Sequence, residues 1–326
     1  MDQACPAGWP QPRRRRRACF NRANYSDYGP NLFIPSNDAF SLRKLTKWQP
    51  LLETNELGYF FVQQHITPQI GRAQGFSLGP DGGAAHTSAP PYPEDDKAPS
   101  QQTIELMRNH TDEVLAASAA LTDADKMRAE WFDDKLISLA PVAFWMAIIN
   151  RWDTHTLLGA TLAMNCVYDA TIVSWREKIR HNAVRPVSLV RHFYANTTVK
   201  AYAGRFAGTQ GIRGSEWNSY MRTMPHAEYP SGTSSVCAAY GEFMRNFLNS
   251  DVFRPPINVL MRKGCSRREP GATPANDIPM QLTNIDDMVE MCGVSRLHAG
   301  VHSSPALLLE QNWGSGSGRS ALNATV

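Results

Sequence analysis

A mainly α fold is expected from this sequence, on three observations. Apolar residues recur at three- and four-residue steps in several long segments. No run alternates apolar and polar residues over the length of a strand. No internal repeat is visible, so a single helical domain over 31–310 accounts for the pattern.

The elements follow in order. Residues 1–30 read as a disordered basic arm, in which Arg13 to Arg17 form one charge run. Such a run is ordinarily a solvated tail; a nuclear or nucleic-acid patch is the second reading. Residues 79–101 and 262–280 are rich in Gly, Pro, Ser and charge and are expected as long loops. Leu121-Thr122-Asp123-Ala124-Asp125 marks a helix start, with Thr122 as the cap and Asp125 in the first turn. Leu139–Ile149 is the strongest apolar stretch and contains Pro141; it is expected as a buried core helix. Residues 152–180 make another long helical stretch. Val236, Ala239, Tyr240, Phe243 and Phe247 define an amphipathic helix beginning just past Ser231-Gly232, and Ile285, Met288, Val289 and Cys292 define one before Ser295. The Gly/Ser-rich end over 311–326 is expected to be disordered.

Composition narrows the class. An apolar content of 42% and a charged content of 19% are those of a soluble globular protein. A net charge of +3 is too weak a bias to argue for nucleic acid, and it does not oppose an anionic ligand. A spanning helix needs roughly 20 apolar residues, and no segment supplies them. Ala18-Cys19-Phe20 is followed at once by Asn21 and Arg22, so no secretory signal is visible and the compartment stays open. The Asn-x-Ser/Thr sites at Asn24, Asn109, Asn196 and Asn323 therefore have no evident route to glycosylation. The six cysteines include no C-x-x-C pair, which argues against structural zinc; Cys166, Cys237 and Cys292 read as small core residues.

Three segments carry chemistry. In Lys178-IRHNAV-Arg185-Pro186 the two cations are seven apart, so a continuous helix would project both from one face. Pro186 discourages helix through Arg185, and a guanidinium fork matches paired oxyanion oxygens. Alone, the segment is equally a solvated basic face. In Tyr229-Pro230-Ser231-Gly232-Thr233 the glycine allows close backbone approach, and the following helix offers free amides and a positive dipole end. Alone, it is an ordinary turn capping a helix. In Ser295-Arg296-LHAGV-His302 the Arg and His are six apart, off a common helix face, and Gly300 could supply the bend that brings them together.

Together, and in this order, K-x6-R-P, P-S-G and S-R-x5-H resemble the signature of the vanadium-dependent haloperoxidase and phosphatidic-acid-phosphatase type 2 superfamily. LTDADKMRAEWFDDK, the helix with Asp169 and Trp175, PHAEYPSG and TKWQPLLE extend the resemblance to its soluble haloperoxidases, over about residues 40–302. The resemblance implies a helical bundle of the vanadium haloperoxidase type and a vanadate cofactor. It implies His302 as the vanadium ligand, Lys178, Arg185 and Arg296 as oxyanion-binding cations, and Ser231 and the Gly232 amide as the remaining donors. Three cations offset a buried trianion-like charge, and amides orient it. The implied reaction uses hydrogen peroxide, polarised by Lys178, to oxidise a halide to a hypohalous equivalent that halogenates a small organic substrate. Vanadium acts there as a Lewis acid and keeps its oxidation state. Neither nucleic acid nor membrane is an expected partner, and a homo-oligomer is left open.

Two positions depart from the pattern. Thr233 stands where many members carry an acid–base histidine, and a hydroxyl cannot titrate near neutral pH. His226, seven residues upstream, could supply the proton if its loop folds back; otherwise it is a surface or structural histidine. Ala306 stands where phosphatase members often carry an acid that orients the final histidine, which puts the support of His302 in question. A phosphatase of the same superfamily and a catalytically impaired homologue are the alternatives to a haloperoxidase.

Overall fold

The computed structural model describes residues 17–20, 23–26, 33–54, 57–79, 86–93, 98–162 and 164–307, with backbone alone at 17–20, 23–26, 136, 159–162 and 164. Within the arm over 1–30, β1 (Arg17–Phe20) pairs antiparallel with β2 (Ala23–Ser26). Arg13 to Arg16 and the tail over 311–326 lie outside the described residues. A short antiparallel pair, β3 (Leu52–Thr54) and β4 (Phe60–Val62), precedes the helices.

Helix α1 (Gln101–Ala119) starts at Ser100, whose hydroxyl accepts from the Thr103 amide. Helix α2 (Asp123–Asp133) starts where the sequence marks it. Thr122 and Asp125 form a reciprocal capping box, so two otherwise orphaned amides are satisfied. Helix α3 (Lys135–Ile149) carries Pro141 in its first turns. It is only half a core helix: Leu139, Val142 and Met146 are buried, whereas Phe144 and Ile148 face outward. The stretch expected over 152–180 is resolved into α4 (Thr154–Leu162) and α5 (Met164–His181).

Helix α6 (Pro186–Phe193) leads to an antiparallel pair, β5 (Thr198–Tyr202) with β6 (Thr209–Arg213). Then come α7 (Gly232–Leu248), β7 (Val252–Met261), β8 (Ile278–Asn284) and α8 (Ile285–His298). The protein is mainly helical, as expected, but the β pairs are a correction to an all-α domain. The pair β7–β8 is the longest, and it takes in the end of the loop expected over 262–280.

One large apolar cluster positions the site. Phe132 of α2, Leu139 and Val142 of α3, Ala170 of α5, Tyr240 and Phe243 of α7, Phe253 of β7 and Met288 of α8 meet there. The apolar stripe of α7 is buried, but so is every residue from Thr233 to Met244, which corrects the amphipathic reading: the helix is enclosed on all sides until its last turn. The loop at 86–93 is docked rather than free: the Ser88 amide donates to Glu177 on α5 at 3.0 Å, and Arg180 donates to the Ser88 carbonyl at 2.7 Å. Cys237 and Cys292 are joined by a disulfide, which corrects their reading as separate core residues. No described helix is long and apolar enough to cross a membrane.

Candidate functional site

Lys178 and Arg185 do not share a helix. Helix α5 stops at His181, and Asn182 takes a left-handed turn with φ of 50°. Arg185 is extended at the N-cap of α6, with Pro186 as the first helical residue. The proline fixes both facts, since it disfavours helix at the preceding residue and is suited to the first helical position. The two cations converge through this break rather than along one face.

Arg185 is fully buried and is the hub of the site. Its Nε donates to the His226 carbonyl at 2.9 Å and its Nη1 to the Val301 carbonyl at 2.7 Å. Its Nη2 lies 2.9 Å from His226 Nδ1 and its Nη1 lies 3.3 Å from His302 Nε2. A guanidinium only donates, so His302 Nε2 acts there as an acceptor. His302 therefore holds its proton on Nδ1, whereas His226 Nδ1 also faces the Ala227 carbonyl at 3.1 Å, a partner that calls for the opposite role.

The His302 tautomer is fixed from the other side as well. Its Nδ1 faces Glu228 Oε1 at 3.3 Å, and the Ser303 amide donates to the same oxygen at 3.0 Å. Glu228 thus supplies the carboxylate missing at Ala306. That alanine is buried against Ala183 and Tyr229, and its carbonyl accepts from the Ser231 amide. Burial pushes Glu228 up to about 7, against the pull of the Ser303 amide, Arg185 and Lys178. Burial first, and then the neighbouring cations, hold His226 and His302 well below the ordinary histidine value, so both are neutral at neutral pH.

Lys178 is fully buried and does not line the cavity. Its ammonium donates to the carbonyls of Ala227 at 3.0 Å and Glu228 at 3.1 Å, and to that of Pro230. It ties the loop that carries His226 and Glu228 to the end of α5. Ser231 is the N-cap of α7, where its Oγ accepts from the Ser234 amide at 3.3 Å. Its hydroxyl is thus engaged with the helix start.

Gly232 opens α7 beside Trp175. A Cβ added there would lie 3.1 Å from the Trp175 ring and 3.8 Å from Lys178 Cε. Arg296 is buried, with Nη1 donating to Asp133 at 3.0 Å and Nε to Ser295 Oγ at 3.2 Å. Gly300, with φ of 76°, makes the bend that separates Arg296 from His302.

These groups surround one cavity of about 390 Å³. Arg185, Arg296, His226, His302, Gly232 and Thr233 line it; Lys178 and Ser231 lie behind its surface. Ile66, Val167, Trp175, Val236 and Val301 make its apolar walls. His226 is not a surface residue: it is buried with its ring 5.0 Å from that of Trp175.

Three participants escaped sequence reasoning. Glu228 sits inside PHAEYPSG, two residues before the motif, and that proximity was its only signal. Lys135 and Asp133 belong to WFDDK at the junction of α2 and α3, and both line the cavity. The Lys135 ammonium donates to the Asp133 carbonyl at 2.9 Å. Burial, helped by Arg296, brings Lys135 down to about 7, against the pull of Asp133 and Asp134.

The site is thus a neutral imidazole among buried cations within a helical bundle. The model of the VCPO second helical-bundle domain matches residues 159–325, and the chain belongs to that family. The fold is similar to that of a holo-type bacterial vanadium-dependent chloroperoxidase, with a TM-score of 0.83 and 27% identity over 94% of this chain and 66% of that one. The apo-type chloroperoxidase gives 0.79 at 27% identity, over 94% of this chain and 67% of that one. A bacterial vanadium-dependent iodoperoxidase shares the fold at a TM-score of 0.60 and 19% identity, over 87% of this chain and 62% of that one. This chain therefore spans about two thirds of the length of those proteins. No curated protein matches it in sequence.

Proposed function

We propose that the chain is a vanadate-dependent haloperoxidase, which uses hydrogen peroxide to oxidise a halide for transfer to a small organic substrate. One observation carries the reading: His302, with Nδ1 against Glu228 and an unprotonated Nε2 against Arg185, lines a cavity that Arg185 and Arg296 also line. Family membership and the two chloroperoxidase likenesses support it.

The residues present fit an oxyanion. Lys178, Arg185 and Arg296 are buried, and the carboxylates against them are Glu228 and Asp133. Glu228 is itself drawn toward its neutral form, so the site carries excess positive charge that an anion would offset. Arg185, Arg296 and the amides at the start of α7 would hold the oxygens, and His302 Nε2 would be the single nitrogen ligand. Vanadate, when bound, supplies Lewis-acid activation of peroxide toward halide.

The chain's own groups set the rest. Glu228 orients His302 and keeps its proton on Nδ1. His226 lines the cavity as a neutral imidazole. The Thr233 hydroxyl donates a hydrogen bond but does not titrate near neutral pH. Lys135 does, so it covers the proton traffic that a histidine at 233 would otherwise carry. The apolar walls limit water around the reacting groups.

The test is peroxide-dependent bromination of an activated diketone by vanadate-loaded protein, beside a phosphate-ester assay without vanadate. Bromination is the expected result. Its absence in wild type and in Thr233→His, with ester hydrolysis present, would replace the reading with a phosphatase.

A further inference from the structure

Gly232 and Thr233 lie at the start of α7, whereas Arg296 lies in the last turn of α8. Anion binding needs these two walls of the cavity at a fixed separation, although more than sixty residues of chain part them. The Cys237–Cys292 disulfide joins the same two helices.

Each half-cystine sits one turn behind a cavity residue. Cys237 follows Thr233 by four residues in α7, and Cys292 precedes Arg296 by four in α8. Residues four apart share a helix face. Cys292 Sγ lies 3.8 Å from the Thr233 carbonyl oxygen, so the cross-link reaches the cavity wall itself. Both cysteines are fully buried in the central apolar cluster. The bond is therefore shielded from solvent and opens only through local loosening of the helix pair.

We propose that the Cys237–Cys292 disulfide is a redox-controlled positioning element of the anion pocket. Intact, it fixes the spacing between the Gly232–Thr233 wall and Arg296; opened, it lets that spacing relax and anion binding weaken. A dithiol reductant opens it by exchange. Two electrons and two protons pass to the cysteines, which become two thiols, and the reductant becomes a disulfide. By linkage, an anion in the pocket must in turn protect the bond from reduction. The inference rests on the oxyanion reading of the site.

The test measures orthovanadate affinity by calorimetry for wild type and Cys237→Ala/Cys292→Ala, without reductant. The expected loss is about tenfold or more, the scale of effect when support around a bound group is removed. A Leu78→Ala variant, with a buried leucine truncated in a different apolar cluster, serves as the destabilised control and keeps wild-type affinity. Equal affinity with and without the disulfide overturns the proposal. Absence of binding by wild type overturns the oxyanion reading, and the proposal with it.

A second measurement holds should the double variant fold poorly. Wild type is treated with dithiothreitol, with and without inorganic phosphate, and thiol release is followed by labelling. Phosphate is expected to slow release; an unchanged rate overturns the proposal.

Discussion

His302 Nδ1 faces Glu228 Oε1 at 3.3 Å, and both side chains are buried. The pair joins two segments of the chain that sequence spacing keeps far apart. It sets the histidine tautomer, and the tautomer leaves Nε2 as the unprotonated nitrogen. Glu228→Ala leaves both the His302 Nδ1 proton and the Ser303 amide without that acceptor. Vanadate affinity should fall by about 10- to 100-fold, the usual cost of losing an outer-shell partner. Glu228→Gln keeps a carbonyl acceptor and should lose less. Titration of both variants with orthovanadate checks the order, and equal affinity of Glu228→Ala and wild type would remove Glu228 from this role.

Lys135 faces the same cavity with an ammonium brought down to about 7, chiefly by burial. A group at that value changes charge within the working pH range. Glu228 is also brought to about 7, so halide oxidation should show a limb near pH 7 that Lys135→Met reduces, with a rate loss of about 100-fold at the optimum. The pH dependence of kcat decides it. A limb unchanged by the substitution would assign it to Glu228 alone.

Much of this fold was legible because its signals are local. The helix start at Thr122, the helix start just past Ser231 and the break before Pro186 each lie within a few residues, and each formed as read. The longest strand pair was not legible. Strand β7 contains Pro255 and Pro256, which cannot donate to a ladder, and its register shifts between Val252 and Ile257. Its buried residues consequently lose the alternation by which a strand is recognised. The cavity's cations were legible from motif order, and Gly300 makes the expected bend. Glu228, Lys135 and the disulfide were not, because each acts across a long stretch of chain, and spacing alone carries no sign of such pairs.

The contact between α7 and α8 leaves no room at Gly241. A Cβ there would lie 2.5 Å from Val289 Cγ2 and 3.1 Å from Ile285 Cγ2. Gly241→Ala gains helix propensity but must push the two helices apart. Overpacking of this kind costs about 1–3 kcal/mol, which exceeds the gain of about 1 kcal/mol from replacing a helical glycine. A net loss of stability in urea denaturation is expected. A stabilised variant would show that α8 can shift freely.

Glu269 holds the loop between β7 and β8 against α2. Burial alone would push its carboxyl up, but the Lys126 ammonium at 2.8 Å, the Thr273 hydroxyl at 2.7 Å, the Phe206 amide and the Tyr202 hydroxyl outweigh it and bring it down to about 2. The folded state thus binds the proton more weakly than the unfolded chain, whose value is the ordinary 4.5. The stabilisation is fully present above pH 4.5 and is lost as pH falls toward 2. Wild-type stability should decline across that window, and Glu269→Gln should flatten the decline while lowering stability at neutral pH. Lys126→Met strands the buried carboxylate and should cost about 3–5 kcal/mol at pH 7. Acid-unfolding curves of the three proteins check both signs. An unchanged slope in Glu269→Gln would assign the acid sensitivity to other carboxylates.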